Sequence, residues 1–232
     1  MGDAAVQSRA FNTLGWIYGE LGAWDKAKEA NQKALDLAVA LGDPEILTNA
    51  RINLCDCALA LGQKEQARRD LEQLYASLPQ LQEWMKWRYS QHLRHSLGEL
   101  LLGLGDQDGA LRMADECLAL ADRTESRKNI VKTRRLRGQI FLARGKLDEA
   151  DVELGVALKT ALQISNPPQV WKTYAALGEL RKAQGRHADA NQAYEDALAV
   201  IQNVAAGLQD SSLKETLINS PLARELRVKA ET

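Results

Sequence analysis

The chain has 232 residues, of which 45% are hydrophobic and 26% charged, a composition typical of a folded globular protein. Its formal net charge of -1 provides no general attraction to nucleic acid or to a membrane surface, and neither partner is expected. No apolar run reaches the roughly 18 residues of a membrane-spanning helix. The N-terminus has no apolar segment of the kind found in a signal peptide. The chain has an odd number of cysteines, and Cys55 and Cys57 are too close in one helix to bridge each other. This cysteine usage indicates the reducing cytoplasm.

A fixed period runs through the sequence. Five glycines recur at separations of 40, 43, 40 and 40 residues: Gly22, Gly62, Gly105, Gly145 and Gly185. Five residues after each glycine lies an alanine, and seven residues before each lies a small residue: Gly15, Cys55, Gly98, Gly138 and Gly178. Such a period predicts an array of stacked helix pairs, whose long exposed surface suits binding more than catalysis.

The first unit shows how each period folds. Apolar residues at helical intervals predict a helix over residues 4–21, which Gly22 ends by adopting a left-handed conformation. A second helix follows as far as Leu41, with alanines along its buried stripe. We expect Gly15 and Ala27 to let the two helices approach closely, because a larger side chain would force them apart.

The same phase predicts five helix pairs and a C-terminal capping segment. The pairs span residues 4–41, 44–77, 80–122, 125–164 and 168–204, and the capping helical segment spans 205–232. Asp43-Pro44 and Asn166-Pro167 each have the form of an N-cap followed by a first helical turn. No segment has the pattern of a strand, so the predicted fold class is all-α.

The repeated residues resemble a known family. The phase of Leu14, Gly15, Tyr18, Gly22, Ala27 and Ala34 resembles the tetratricopeptide repeat (TPR), and so does that of Leu177, Gly178, Gly185, Ala190, Tyr194 and Ala197. The resemblance implies a right-handed superhelical solenoid of about five helix hairpins plus C-terminal capping helices. Units of about 40 residues, longer than the usual 34, are similar to those in the sensor regions of bacterial regulatory ATPases and transcriptional activators.

The two ends of the chain bear on its origin. Residues 211–226 predict two short helices that cover the apolar edge of the last unit, in a pattern similar to the C-terminal end of those regulators. The N-terminus leads directly into a repeat helix. We therefore expect a C-terminal fragment of a longer protein, with a complete standalone protein as the alternative.

The resemblance also implies a binding surface. In the family the first helix of each unit lines the concave face, and here that face is polar and mixed in sign. Its residues include Arg9, Asn12, Trp16, Asn49, Asn53, Asp56, His92, His95, Glu99, Lys132, Arg135, Gln139, Lys172 and Glu179. Such side chains suit an extended peptide held by hydrogen bonds to its backbone.

Residues 123–146 form the strongest charge feature. They carry nine basic residues against Glu125 alone, a local charge of +8. Such a segment attracts acidic peptides or phosphates. The alternative is that neighbouring helices neutralise it, since the preceding helix carries several acidic residues, among them Asp108 and Asp115. No aromatic residues are interleaved with these charges, which argues against nucleic acid.

Two smaller clusters remain. His92, His95 and Glu99 share one helix face at spacings of three and four, which makes them the metal candidate, with a metal-free polar face as the alternative. Trp84 and Trp87, with Met85 and Tyr89, form an aromatic cluster that is either core or an exposed partner anchor.

The functional expectation is a binding module. The sequence has no phosphate loop, dinucleotide fingerprint, zinc-protease motif or serine-hydrolase motif, so we expect no enzyme activity, no cofactor and no metal. We expect a cytoplasmic protein- or peptide-binding scaffold or sensor within a bacterial signalling protein, which recognises an extended, acidic partner segment. The alternatives are a homo-oligomerisation module, such as a homodimer formed through the edge helix or the aromatic cluster, and a sensor responsive to a small ligand or metal.

Overall fold

A computed structural model describes residues 2–231, apart from the side chains of Trp84, Lys86 and Arg88. This part of the chain is helical and contains no strand, as the sequence predicts. Its helices are α1 (Gly2–Glu20), α2 (Trp24–Leu41), α3 (Pro44–Ala60), α4 (Lys64–Ser77), α5 (Glu83–Gly103), α6 (Gln107–Arg123), α7 (Arg127–Ala143), α8 (Leu147–Gln163), α9 (Pro167–Ala183), α10 (His187–Gly207), α11 (Ser211–Ile218) and α12 (Pro221–Ala230). No helix of this part of the chain is long and apolar enough to span a membrane.

The chain divides into two compact units, unit 1 (Met1–Leu100) and unit 2 (Leu101–Thr232). In unit 1, α1 packs on α2, and α3 packs on both α2 and α4. In unit 2, α7 packs on α6 and α8, α9 packs on α8 and α10, and α10 also contacts α11 and α12. Each unit is therefore a series of antiparallel helix hairpins joined by short turns.

The five periodic glycines end the first helix of each hairpin, as the sequence predicts. Gly22, Gly62, Gly105, Gly145 and Gly185 all have positive φ, at 76°, 78°, 85°, 71° and 74°. The chain then turns back through hydrogen bonds such as Ala23 N–H to Tyr18 O, at 2.9 Å. These are left-handed helix ends, which glycine adopts without a side-chain clash.

The second helices end in the same way but without a fixed residue type. Gly42 has a φ of 63°, whereas Glu125 and Ser165 each have a φ of 50°. A left-handed backbone costs a residue with a side chain on the order of 1–2 kcal/mol. After α4 the chain instead forms a 3₁₀ turn at Leu78–Gln80, so that the next helix begins at Glu83 and not at the predicted residue 80.

The predicted N-caps are confirmed. The side chain of Asp43 accepts hydrogen bonds from the backbone N–H groups of Glu45 and Ile46, at 3.0 and 3.2 Å. The side chain of Asn166 accepts one from Gln169 N–H at 3.3 Å. Both caps precede a proline in the first turn, and they satisfy two of the orphan donors of α3 and one of those of α9.

Small residues set the distance between the helices of a hairpin. A Cβ atom on Gly138 of α7 would lie 2.6 Å from Cγ of Leu154 on α8, and one on Gly178 would overlap the ring of Tyr194. Gly15 likewise leaves no space between its backbone and Asn31. The alanines that follow each glycine, such as Ala27 and Ala150, are fully buried. The expected close approach is therefore confirmed.

Aliphatic seams join one hairpin to the next. In unit 1, Ala34 and Ala38 of α2 pack against Ile46 and Ala50 of α3. In unit 2, Ala157 and Ala161 of α8 pack against Val170 of α9, together with Val131 of α7. The first helices α3 and α9 are thus each covered on one side by the second helix of the preceding hairpin.

We predict that Glu125→Gly stabilises unit 2. The substitution removes a left-handed strain of about 1–2 kcal/mol and adds about 0.4–1 kcal/mol of unfolded-state entropy, so the free energy of unfolding should rise by about 0.5 kcal/mol. Urea denaturation of the full chain measures the change. Gly145→Ala, made at a left-handed glycine, should have the opposite sign, and a Glu125→Gly variant less stable than wild type would contradict the prediction.

A second prediction concerns helix approach. Gly138→Val should lower the free energy of unfolding by about 1–3 kcal/mol, because its side chain must displace Leu154. Gly155→Val is the matched control, since that position lies in the middle of α8, where a Cβ atom would have no neighbour within 4 Å. Thermal unfolding should separate the two variants. An equal loss in both would contradict the prediction, because valine has a higher helix propensity than glycine and should not by itself lower the stability of a helix.

Candidate functional site

The predicted binding residues all lie on first helices of hairpins. Unit 1 carries Arg9, Asn12 and Trp16 on α1, Asn49, Asn53 and Asp56 on α3, and His92, His95 and Glu99 on α5. Unit 2 carries Lys132, Arg135 and Gln139 on α7, with Lys172 and Glu179 on α9. Within each unit these helices are neighbours, so their side chains form one surface per unit.

In unit 1, polar side chains join the first helices directly. Asn49 Nδ2 donates to Asn12 Oδ1 at 2.6 Å, which links α3 to α1. Asp56 Oδ2 lies 2.7 Å from Nε2 of His92, which links α3 to α5. Because these bonds fix the rotamers of Asn49, Asp56 and His92, the surface is ordered before any partner arrives.

A buried amide pair supports this surface from below. Asn53 Nδ2 donates to Asn31 Oδ1 at 3.0 Å, and Asn31 Nδ2 donates to the carbonyl of Ala27 at 2.8 Å. Sequence reasoning missed Asn31 because it lies on a second helix. A signal was present, since the same register position is apolar in later units, as at Leu71 and Leu154.

The unit 1 residues differ in exposure. Arg9, Trp16 and Glu99 are exposed, whereas Asn49, Asp56 and His92 are partly buried. Asn12, Asn53 and His95 are buried, and the Nδ2 group of Asn12 has no hydrogen-bond partner in the structure. Arg9 lies within 3.2 Å of Glu45 and 3.7 Å of Asp43. The three buried residues therefore do not themselves reach the surface, and Asn12 and Asn53 bond instead to side chains of neighbouring helices.

In unit 2, Arg135 lies inside the protein. Only 4% of this residue is exposed, and its Nη1 donates to Gln169 Oε1 at 2.8 Å, which links α7 to α9. Lys132, Gln139 and Lys172 are partly buried on the same face. The expectation that Arg135 contacts a partner from the surface is therefore corrected, because its guanidinium is used in holding two first helices together.

The C-terminal helix covers Glu179. Lys229 Nζ of α12 lies 2.7 Å from Glu179 Oε1, and the Tyr194 hydroxyl donates to the same oxygen at 2.7 Å. Burial alone would raise the pKa of Glu179, but the hydrogen bonds from Lys229 and Tyr194 outweigh it, and the pKa is lowered. For Lys229, burial opposes the charge while Glu179 and Glu225 favour it, and the pKa is raised.

Three arginines of the basic segment pair with acidic residues of neighbouring helices. Arg134 and Arg137 of α7 both bond to Glu153 of α8, at 3.0 and 2.8 Å, and Arg137 also pairs with Asp115 of α6. Arg144 pairs with Asp108. Such pairs were expected under the alternative interpretation, in which acidic residues of neighbouring helices neutralise the segment. These paired arginines therefore stabilise the packing of the helices, and their charges are less available to attract a ligand.

The remaining candidates are not brought together. His92 is bonded to Asp56, and His95 is buried with Nδ1 3.4 Å from Glu99 Oε2. No group of three or more histidine, cysteine, aspartate or glutamate side chains in the described part of the chain could hold a metal ion. Burial raises the pKa of the Cys55 and Cys57 thiols to about 12, consistent with packing residues.

The residues of the predicted aromatic cluster, Trp84, Met85, Trp87 and Tyr89, do not all lie in one environment. The side chain of Trp84 lies outside the described residues. Trp87 is 48% exposed, whereas Met85 and Tyr89 are buried. The Tyr89 hydroxyl donates to Glu45 Oε1 at 2.6 Å, which adds a second link between α5 and α3. Two of the four residues therefore belong to the core.

Comparison with known families identifies three segments. Two family models, both described as tetratricopeptide repeat, match residues 8–38 and residues 49–73 and 91–116. The matched segments contain the closing glycines Gly22, Gly62 and Gly105, together with the buried alanines that follow them. None of the curated proteins compared with this chain matches it in sequence.

Solved structures share the fold. A putative kinesin light chain of Podosopora anserina with nearly identical TPR-like repeats is 18% identical, covering 89% of this chain and 99% of its own, with a TM-score of 0.53. The Rap protein complexed with Competence and Sporulation Factor is 14% identical over 99% of this chain and 67% of its own, with a TM-score of 0.63. PilF of Pseudomonas aeruginosa is 15% identical over 98% and 99%, with a TM-score of 0.54. At these identities the likeness concerns the fold.

We predict that acid loosens α12. Because the folded-state pKa of Glu179 lies below its ordinary value of 4.5, the pair with Lys229 stabilises the folded state above that pH and is lost as the pH falls through the lowered pKa. Hydrogen exchange over residues 221–230 should therefore increase in acid, corrected for the intrinsic rate. Lys229→Met should show the increase already at neutral pH.

The control for this prediction is Lys214→Met, which removes an exposed lysine from α11. It should leave exchange over residues 221–230 unchanged at neutral pH. Equal exchange in Lys229→Met and wild type would show that apolar packing by Ala223 and Leu226, both buried, attaches α12 without the ion pair.

Proposed function

Because this chain is a tetratricopeptide repeat protein with the fold of a protein-interaction scaffold, we propose that it binds an extended segment of a partner protein along its first helices. The observation that carries the proposal is the row of bonded polar side chains in unit 1. Asn12 with Asn49, and Asp56 with His92, join α1, α3 and α5 into one ordered surface. An extended chain laid across these helices meets hydrogen-bonding groups at each step.

Trp16 is the proposed anchor of this surface. It is 39% exposed, and it lies on the same side of α1 as Arg9. An aromatic side chain contributes a large contact area at low entropic cost, and such residues dominate the binding energy of many interfaces. We propose that an apolar side chain of the partner contacts Trp16, while its backbone bonds to Asn49 and Asp56.

One of the solved structures that share this fold is a complex, which supports a binding role. The Rap protein was solved in complex with Competence and Sporulation Factor. A chain of this fold can therefore hold another molecule. The role we propose here is that of a scaffold or sensor module within a cytoplasmic bacterial signalling protein, in keeping with the long repeat unit.

A second proposal concerns the charge of the partner, and it rests on residues of unit 2. Lys132 and Lys172 occupy equivalent positions on α7 and α9, and both are partly exposed. The arginines nearby are committed to Glu153, Asp115 and Asp108. We propose that an acidic segment contacts unit 2 through these two lysines, with no contribution from Arg135.

Selection from a random peptide display library on the full chain tests the surface in unit 1. Peptides enriched on the wild type should lose at least roughly tenfold in affinity for Trp16→Ala, the cost expected of a hot-spot residue. Trp87→Ala is the matched control, since it removes another exposed tryptophan. Retained affinity in Trp16→Ala with a loss in Trp87→Ala would move the site to the aromatic cluster and contradict the proposal.

A charge series tests the acidic preference. Lys132→Glu combined with Lys172→Glu should weaken acidic peptides by roughly tenfold or more, and the affinity of the wild type for them should fall with added salt. Lys159→Glu combined with Lys28→Glu, both on second helices, gives the same change in net charge on other faces. An equal effect of the two pairs would show that net charge alone, and no specific surface, attracts the peptide.

A further inference from the structure

The second helix α8 exposes apolar side chains opposite its buried alanines. Val152 is 65% exposed, and Val156, one turn later, is 38% exposed. Gly155 lies between them on the same side of the helix, and a Cβ atom there would have no neighbour within 4 Å. Leu162, which is 51% exposed, extends this surface toward the C-terminal end of α8. These four residues, called the α8 patch, extend over roughly 15 Å at 1.5 Å per residue.

The repeat shows that the α8 patch is an exception. At the positions equivalent to Val152 and Val156, every other second helix carries two polar or charged residues: Glu29 and Lys33 on α2, Arg69 and Gln73 on α4, Arg112 and Glu116 on α6, and Gln192 and Asp196 on α10. On α2 the two residues form an ion pair at 2.6 Å, and on α10 they form a hydrogen bond at 3.0 Å. Among the second helices, α8 therefore replaces a solvent-facing polar pair with two valines.

Helix stability does not account for the residues of the α8 patch. Valine is a weaker helix former than the glutamate, lysine, arginine and glutamine found at the equivalent positions, and a glycine such as Gly155 weakens the middle of a helix. A cluster of exposed apolar residues marks an interaction surface more often than isolated ones do. The missing side chain of Gly155 lets the backbone of a bound molecule approach α8 closely.

The charges around the α8 patch indicate what covers it. The second helices of unit 2, α6, α8 and α10, carry eleven acidic residues and three basic ones, a net charge of -8. The second helices of unit 1, α2 and α4, carry six of each sign. The α8 patch therefore lies in an acidic layer that has no counterpart in unit 1, and this layer attracts a basic partner.

Two acidic side chains of this layer are exposed and unpaired. Asp148 lies on the same side of α8 as Val152, one turn before it, and Glu195 occupies the position on α10 that is equivalent to Gly155. Neither carboxylate has an ion-pair partner in the described part of the chain. The basic residue of α8 is Lys159, near the C-terminal end of the patch. A partner therefore meets negative charge at the N-terminal end of the α8 patch.

We propose that the α8 patch docks an amphipathic helix of a partner protein, whose apolar stripe is flanked by lysine and arginine. The apolar stripe contacts Val152 and Val156, and the basic residues lie near Asp148 and Glu195. The α8 patch lies on a second helix, whereas the proposed peptide surface lies on first helices, so the inference does not depend on the proposed function.

A second copy of this chain fits the α8 patch poorly. A symmetric contact through α8 would bring the acidic layer of one copy against the same layer of the other. Like charges that face each other across an interface oppose association. A partner helix with positive charges meets no such repulsion.

A displayed library of amphipathic helices provides the probe. Each member carries leucines at positions three and four residues apart, and the flanking positions vary among lysine, arginine, glutamate, aspartate, serine and glutamine. The library is selected on the immobilised full chain. We expect the enriched helices to be basic. The synthetic peptide of the most enriched helix should bind with a dissociation constant in the roughly micromolar range, as measured by fluorescence anisotropy.

A double substitution taken from α2 tests the apolar contact. Val152→Glu with Val156→Lys gives α8 the ion pair that Glu29 and Lys33 form on α2. The change leaves the net charge as it is and raises helix propensity, so the variant should keep the circular dichroism of the wild type. It should bind the peptide at least roughly tenfold more weakly. Val39→Gln is the matched control, because Val39 of α2 is 61% exposed, and it should bind within about twofold of the wild type.

A second double substitution tests the charge contact. Asp148→Asn with Glu195→Gln should weaken binding of the peptide by roughly fivefold at low salt, and the difference should shrink as salt is added. Asp25→Asn with Glu215→Gln is the matched control, since it also removes one acidic residue from a first helical turn and one further exposed acidic residue, both outside the acidic layer. This control should bind within about twofold of the wild type.

Three results would overturn the proposal. The first is a selection that enriches no helix, or that enriches helices without basic flanks. The second is equal binding of the peptide to the wild type and to the variant with Val152→Glu and Val156→Lys, which would place the peptide on another surface. The third is a concentration-dependent dimer of the chain in sedimentation that the same variant abolishes, which would assign the α8 patch to a second copy.

Discussion

The close approach of the two helices in each hairpin is the constraint on which the rest of the structure depends. Gly15, Gly138 and Gly178 leave no room for a side chain where the helices cross. Close approach buries the alanines that follow each turn, and the loss of bulky side chains there is offset by dense packing. It also determines the direction in which the remaining side chains of each first helix point.

That direction explains the polar character of the binding surface. Some residues of a first helix face neither the second helix of the same hairpin nor the preceding hairpin. Such residues lie close to residues on the same side of the next first helix. Polar side chains at these positions bond to each other, as Asp56 does with His92 and Arg135 does with Gln169. The same bonds that order the surface also reduce the number of groups free to contact a partner, and the arginines of α7 illustrate this competition most clearly.

Features that depend on a local sequence pattern, such as the helix ends, could be predicted from the sequence. Features that depend on contacts between residues far apart in the chain could not. Helix ends followed from Gly22 and its equivalents, because a left-handed turn needs glycine more than any other residue. Glu125 and Ser165 adopt the same conformation without that signal. Arg135 was expected at the surface because the family register places it on the concave face, and only the fold shows Gln169 opposite its guanidinium. Lys229 pairs with Glu179, 50 residues earlier, from a helix that lies beyond the last unit of the period.

The two terminal helices of the chain differ in character, and this difference disfavours head-to-tail assembly of copies. The exposed residues of α12 include Arg224 and Glu225, and this helix covers α10, whereas α1 exposes an apolar stripe of Val6, Leu14 and Ile17. Head-to-tail polymerisation requires a complementary surface at each end of the subunit, so that every addition creates a new acceptor. In a head-to-tail contact between copies, Arg224 and Glu225 of α12 would meet the apolar stripe of α1, and burying their charges against apolar side chains would be unfavourable.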